Sequence, residues 1–382
     1  VPAIAGMIVY ALYNLIDTLY IGQGIGTIME GRGSLAIGGL AVAFPFQVIT
    51  MSLGIMFGMG AASVISRNLG SGNRKRAAQA AGNAFVLSIV TGIVVTVIGK
   101  IFIHDILLLF GATESIYPYA YDYLDMILWG SVSICITMTG QYIIQSEGRA
   151  KAAMLCMVIG MGMNIILDPV FIFGFRMGIK GAALATVISL TLSSLYVLLF
   201  FSTKQSSLSV HCSHFFPDIA VIREICKLGI VLFVRQGAKS VLFIIMNNTL
   251  KKYGGDMAIS AFGIIFRLLA FMIVPILGIG QGFQPVAGYN YGAGNKKRVR
   301  EAIKKAMIAS TIMAFAASLV MFIFSRQLLS VFNTEETLLS LGTGALRIMV
   351  LLIPCIGLQI VGSMYFLSTG KAMPAFILSL SR

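Results

Sequence analysis

Eleven apolar segments, most of them twenty residues or longer, leave this chain few ways to fold. They run over 1–22, 35–66, 78–100, 119–143, 152–175, 181–201, 224–250, 257–288, 301–324 and 343–368, with a stub from 371 to the end. A helix needs about 20 apolar residues to cross a bilayer. Only 11% of the 382 residues are charged and mean hydropathy is +0.91, whereas soluble domains average about 25% charged. The pattern predicts an all-α, multi-pass membrane protein and excludes a soluble domain with a large core. The longer segments must tilt, kink or project from the bilayer. The chain opens inside one apolar segment and stops inside another, so it reads as a fragment missing both ends.

The formal charge of +14 is not a nucleic-acid footprint, because it is distributed by membrane side. With the N-terminus inside, the inside loops hold sixteen Lys and Arg and the outside loops seven. The largest inside group is Lys296, Lys297, Arg298, Arg300, Lys304 and Lys305. This is the positive-inside pattern. It predicts a cell-membrane protein with a cytoplasmic N-terminus and no nucleic-acid partner. Anionic lipid heads account for the basic loops. The chain is expected to act as a monomer. The five cysteines show no paired spacing and four lie in apolar segments, so no disulfide is expected.

An internal repeat fixes the architecture. Residues 66–76, SRNLGSGNRKR, resemble 288–298, GYNYGAGNKKR, at an offset of 222. The same offset pairs Gly60 with Gly282, Gly140 with Gly362 and Gly148 with Gly370. It holds six helices, an even number, so the two copies share one orientation, related by an axis along the membrane normal. The expected fold is two six-helix lobes, twelve helices when complete, truncated here after the start of the eleventh. Residues 1–201 form the first lobe, 202–219 a polar cytoplasmic linker, and 220–382 the incomplete second lobe. His211, Cys212 and His214 in the linker match no common zinc spacing and read as exposed loop residues.

The segment 164–174, NIILDPVFIFG, carries the chemistry. An aspartate inside a membrane span persists when it faces a bundle interior, pairs, or carries an ion. Asn164 lies four residues before Asp168, on the same helical face. Pro169 cannot donate to the carbonyl of Ile165, which frees an oxygen on the intervening turn. Such a set could hold a small cation or a proton. Asp17, in the first segment, is either a second carboxylate facing Asp168 or an aspartate bonded to a neighbouring helix. Thr186 could add a hydroxyl or bond back to its own helix. Lys239 and Arg267 either face a cavity with Asp17 and Asp168 or snorkel to the interface, and snorkelling is the reading for Arg235. Asp122 and Asp125 read as a solvated helix start. No catalytic constellation and no strand-borne glycine loop is present, so an enzyme is not expected.

Four pieces, ALYNLIDTLYIG (11–22), GAASVISRNLGSGN (60–73), NIILDPVFIFG (164–174) and GIKGAALATVIS (178–189), together with GFQPVAGYNYGAGN (282–295), resemble the multidrug and toxic compound extrusion (MATE) family, in its prokaryotic DinF-type branch. The resemblance implies a V-shaped, twelve-helix antiporter exporting lipophilic, often cationic compounds against inward Na⁺ or H⁺, with no other cofactor. It also implies a cation site at Asp17, Asn164, Asp168 and Thr186. Some members use acids in the second lobe; helices seven, eight and ten carry none in their cores here. The rival readings are a lipid-linked oligosaccharide flippase of the same broad superfamily, which would need a strongly cationic cavity, and a channel or receptor.

Overall fold

Glycine–asparagine pairs punctuate the helices. Gly72 takes φ +80°, a left-handed conformation that ends a helix without a Cβ clash, and Asn73 opens the next by accepting the N–H of Arg76 at 3.1 Å. At the repeat offset, Gly294 takes φ +72° and Asn295 accepts the N–H of Arg298 at 3.1 Å. The repeated motif is therefore a helix stop followed by a helix start.

The computed structural model describes residues 33–203, 205–208, 210–330 and 336–381, with Pro2, Gly6 and Val9 of the first segment. For some helical residues, Lys239 and Arg267 among them, only the backbone is described. The first lobe holds α1 (Gly33–Gly70), α2 (Arg74–Ile101), α3 (Ile103–Leu109), α4 (Tyr117–Trp129), α5 (Ser131–Ser146), α6 (Ala150–Pro169) and α7 (Ile179–Ser202). The second holds α8 (Ile219–Gly292), α9 (Lys296–Ile323), α10 (Ser325–Ser330), α11 (Glu336–Val350), α12 (Ile353–Ser368) and α13 (Ala372–Leu380). No strand occurs among the described residues. The bounds of α2 and α9, and those of α5 and α12, coincide at the offset of 222. Among the described residues six helical stretches are long and apolar enough to cross a membrane, or up to eight if each bent pair is one span.

α8 is helical over 74 residues, about 110 Å if straight. Its start and its end nevertheless meet the same part of α1: Gly60 faces Ile225 and Ser66 faces Gly288. The element therefore doubles back on itself, as expected of the two segments 224–250 and 257–288.

Three hydrophobic cores give the shape. One joins the two lobes, with Ile65 of α1, Ile143 of α5, Ile225 and Ala287 of α8, and Val361 of α12. A second lies wholly within the first lobe, around Leu107, Leu124 and Ile179. The third lies within the second lobe, around Ile276, Leu346 and Ile353. The shared core sits at the end carrying the basic loops, so the lobes form a V with its apex there.

Glycines make the apex tight. A Cβ at Gly70 would overlap the carbonyl of Tyr289, and one at Gly292 would overlap that of Arg67. These two contacts exchange under the offset of 222, so α1 and α8 cross on the axis relating the lobes. An ion-pair cluster closes the same end: Glu224 of α8 takes Arg67 at 2.8 Å and Arg76 at 3.1 Å.

The fourth and tenth apolar segments, 119–143 and 343–368, are each built from two helices that meet at an angle. α4 and α5 meet at 56°, and α11 and α12 at 44°. A bend exposes a carbonyl that lipid cannot solvate. Thr96 Oγ1 donates to Leu128 O at 2.8 Å, and Ser318 Oγ donates to Val350 O at 2.9 Å, the same two positions in each repeat. The fifth helix, by contrast, runs on as one stretch from Ala150 to Gly174, and Pro169 leads into a π-helical turn, Val170–Gly174. Asp122 and Asp125 do not form a solvated helix start but are paired, with Lys180 at 3.1 Å and with Lys100.

The linker lies as a strap under the first lobe. Asn83 Nδ2 donates to His214 O and Phe216 O, both at 3.2 Å, and its Oδ1 accepts the Asp218 N–H at 2.8 Å. His214 is buried, not exposed, and its Nδ1 accepts the His211 N–H at 3.0 Å, so the ring caps a 3-10 turn, Cys212–Phe215. Glu147 holds the other end, accepting from Ser206 Oγ at 2.8 Å and from Ser207 N at 2.6 Å. Burial pushes the Glu147 carboxyl above the usual carboxylate range, against the opposing pull of the Ser207 and Ser206 hydrogen bonds. A raised folded-state pKa gives stability that is present at low pH and lost as pH rises through that value. Relative to Glu147→Gln, wild type is expected to lose thermal stability as pH climbs above about 4 to 5, measured as Tm against pH.

Candidate functional site

The buried face of α6 reads Ala153, Cys156, Gly160, Asn164 and Asp168, a stripe at the three- and four-residue steps of a helix. Ile166 and Val170 on its other side are exposed. The stripe packs on α7, where Thr186, Ser189 and Ser193 are buried. Glycine at 160 lets the two helices close: a Cβ there would stand 2.7 Å from Ser193 Oγ, which donates to Cys156 O at 2.8 Å.

Toward the open end of the V, three of the predicted residues come together. Asn164 Nδ2 donates to Asp168 Oδ1 at 3.2 Å and to Thr186 Oγ1 at 3.3 Å. Thr186 Oγ1 donates to Ala182 O at 2.9 Å, so its back-bond and its place in the cluster coexist. Asp168 is 0% exposed, Asn164 2% and Thr186 5%. An ionised carboxylate only accepts, so the amide must turn its nitrogen to Asp168. Both amide hydrogens and the threonine hydrogen are then spent. Asn164 Oδ1 remains, buried and with no hydrogen-bond donor among the described residues. An acceptor left this way costs about 1–3 kcal/mol. Among the described residues, Asn164 Oδ1 is thus an oxygen still without a donor beside a carboxylate, a pairing suited to a hard cation or a proton.

Asp17 lies outside the described residues, as do the side chains of Lys239 and Arg267. Arg235 is partly buried. Ser189 is a residue the sequence reading missed. It is 1% exposed, its Oγ has no hydrogen-bond partner among the described residues, and it sits one turn from Thr186 on the same seam. The spacing 186, 189, 193 on an apolar helix was the available signal. Among the described residues no three His, Cys, Asp or Glu side chains gather as a metal site would require. Cys135, Cys156, Cys226 and Cys355 are free thiols.

A doubled, V-shaped bundle of membrane-spanning helices with a buried acid–amide cluster on one wall defines a membrane transporter rather than an enzyme. The MatE family model matches residues 2–170 and 232–382, and the chain belongs to the MATE family. Multidrug export protein MepA of Staphylococcus haemolyticus (strain JCSC1435) is 27% identical over 383 residues, covering 100% of this chain and 82% of MepA. MepA of Staphylococcus aureus (strain MRSA252) is 26% identical, covering 99% and 82%. Among solved structures, the outward-facing conformation of a multidrug resistance MATE family transporter of the MOP superfamily superposes with a TM-score of 0.91 at 27% identity, covering 99% of this chain and 83% of its own. A MOP superfamily transporter from Pyrococcus furiosus Vc1 (DSM3638), described as having a binding pocket of reversed polarity that suggests a different function, matches with a TM-score of 0.90 at 27% identity and the same coverage.

Proposed function

We propose that this protein exports lipophilic, often cationic small molecules across the cell membrane by alternating access, as a monomer, driven by Na⁺ or H⁺ moving inward. The coupling site is Asn164, Asp168 and Thr186, with Asp17 as the second carboxylate. Multidrug export by the MepA relatives supports the cargo class. The observation that carries the coupling is Asn164 Oδ1, buried beside Asp168 with no hydrogen-bond donor among the described residues.

The physical sequence is short. A charge in the hydrocarbon half of a bundle is costly unless neutralised. A cation or proton arriving from the open end neutralises Asp168 and gives Asn164 Oδ1 its missing partner. The ion acts only through its different affinity for the two lobe arrangements. The apex of the V carries the basic loops, which points to a closed cytoplasmic side and a cavity open outward.

The test is ethidium efflux from proteoliposomes of the full-length protein, with a Na⁺ or a pH gradient imposed separately. Thr186→Ala strands one Asn164 N–H and is expected to weaken the apparent affinity for the coupling ion roughly tenfold, whereas Thr186→Ser keeps most of it. Equal ion dependence in wild type and Thr186→Ala would remove Thr186 from the site.

A further inference from the structure

The equivalent helices α2 and α9 are finished differently at their basic ends, and from this we infer that α9 binds the headgroup of an anionic phospholipid. On α2 the flank is covered by the chain itself. Gln79 and Asn83 hold the strap, and a Cβ at Gly82 would overlap the carbonyl of His214. The offset of 222 places Glu301, Lys304 and Lys305 at these three positions on α9, all exposed. A lysine where α2 needs glycine leaves no room for a strap of that kind. Lys297 and Arg300 lie on the same face, and none of the four cations has an ion-pair partner among the described residues.

The apolar part of α9 sets the depth. Ile308, Ile312, Phe315 and Leu319 are exposed and continue the face of Lys304 at helical steps. The matching row on α2, Val90, Ile93 and Val97, is exposed as well. These rows face acyl chains. Lys304 and Lys305 therefore stand where the apolar span ends, with alkyl stems along the lipid and ammonium groups at headgroup level. Phosphate charge and acyl contact are met together there, which a lipid offers and free phosphate does not.

The experiment counts bound lipid by native mass spectrometry on the full-length protein, incubated with phosphatidylglycerol, phosphatidylcholine or inorganic phosphate. Wild type is expected to retain phosphatidylglycerol over phosphatidylcholine. Lys304→Gln/Lys305→Gln is expected to lose phosphatidylglycerol affinity by about fivefold per lysine. The control Arg74→Gln/Lys75→Gln removes the same charge from α2 and is expected to keep it. Equal retention by wild type and the α9 variant, an equal loss in the control, or displacement of the lipid by phosphate would each overturn the assignment.

Discussion

Asp168→Asn is expected to yield a folded, membrane-inserted protein whose ethidium efflux no longer responds to an imposed Na⁺ or pH gradient. The side chain keeps its volume and can still accept from Asn164, so the α6–α7 seam closes as before. What it loses is the charge. Without it the site has no reason to prefer its ion-loaded form in one lobe arrangement over the other, and a ligand with equal affinity for two states shifts nothing. Efflux down the drug's own gradient should persist. The measurement is initial efflux rate with and without each gradient, beside a binding titration that shows ethidium still binds. Full gradient dependence in the variant would exclude Asp168 from coupling.

A side chain at the apex crossing should have an effect of similar size by a different route. Gly70 and Gly292 meet the opposing backbone of α8 and α1, not flexible side chains, so neither neighbour can yield cheaply. Gly292→Val is expected to destabilise the closed apex by about 1–3 kcal/mol, the usual cost of overpacking. That is roughly a 5- to 150-fold shift toward the arrangement with the basic end apart. Ser66 is 0% exposed and faces Gly288 beside this crossing. With the native cysteines replaced, a cysteine substituted at Ser66 should be alkylated from the basic side much faster when Gly292→Val is present. Unchanged labelling with unchanged transport would mean that the apex does not open in the cycle.

The repeat was legible because it is written in residues whose roles are local. Gly72 and Asn73, and Gly294 and Asn295, stop and start helices by their own backbone and side-chain chemistry. The Asn164–Asp168 pair was legible for the same reason, being one turn apart in an apolar span. The bends at the fourth and tenth helices were not, because what makes them tolerable is a hydroxyl on another helix, Thr96 or Ser318. Asp122 and Asp125 looked solvated because their lysines, Lys180 and Lys100, come from distant segments. Thr186 was open between two roles on the residues alone, and the geometry shows its back-bond to Ala182 beside a hydrogen bond accepted from Asn164. Ser189 carries no signal of its own in the sequence, since a serine in a membrane helix ordinarily bonds back to its own turn; among the described residues no such bond forms.

Cation release on drug binding tests the coupling claim most directly. Full-length wild type and Asp168→Asn, in weakly buffered detergent solution, are titrated with ethidium while pH and free Na⁺ are recorded. The account predicts that wild type gives up one kind of cation as ethidium binds and that Asp168→Asn binds ethidium and gives up none. Ethidium binding to wild type with no cation released, or the same release from the variant, would contradict it.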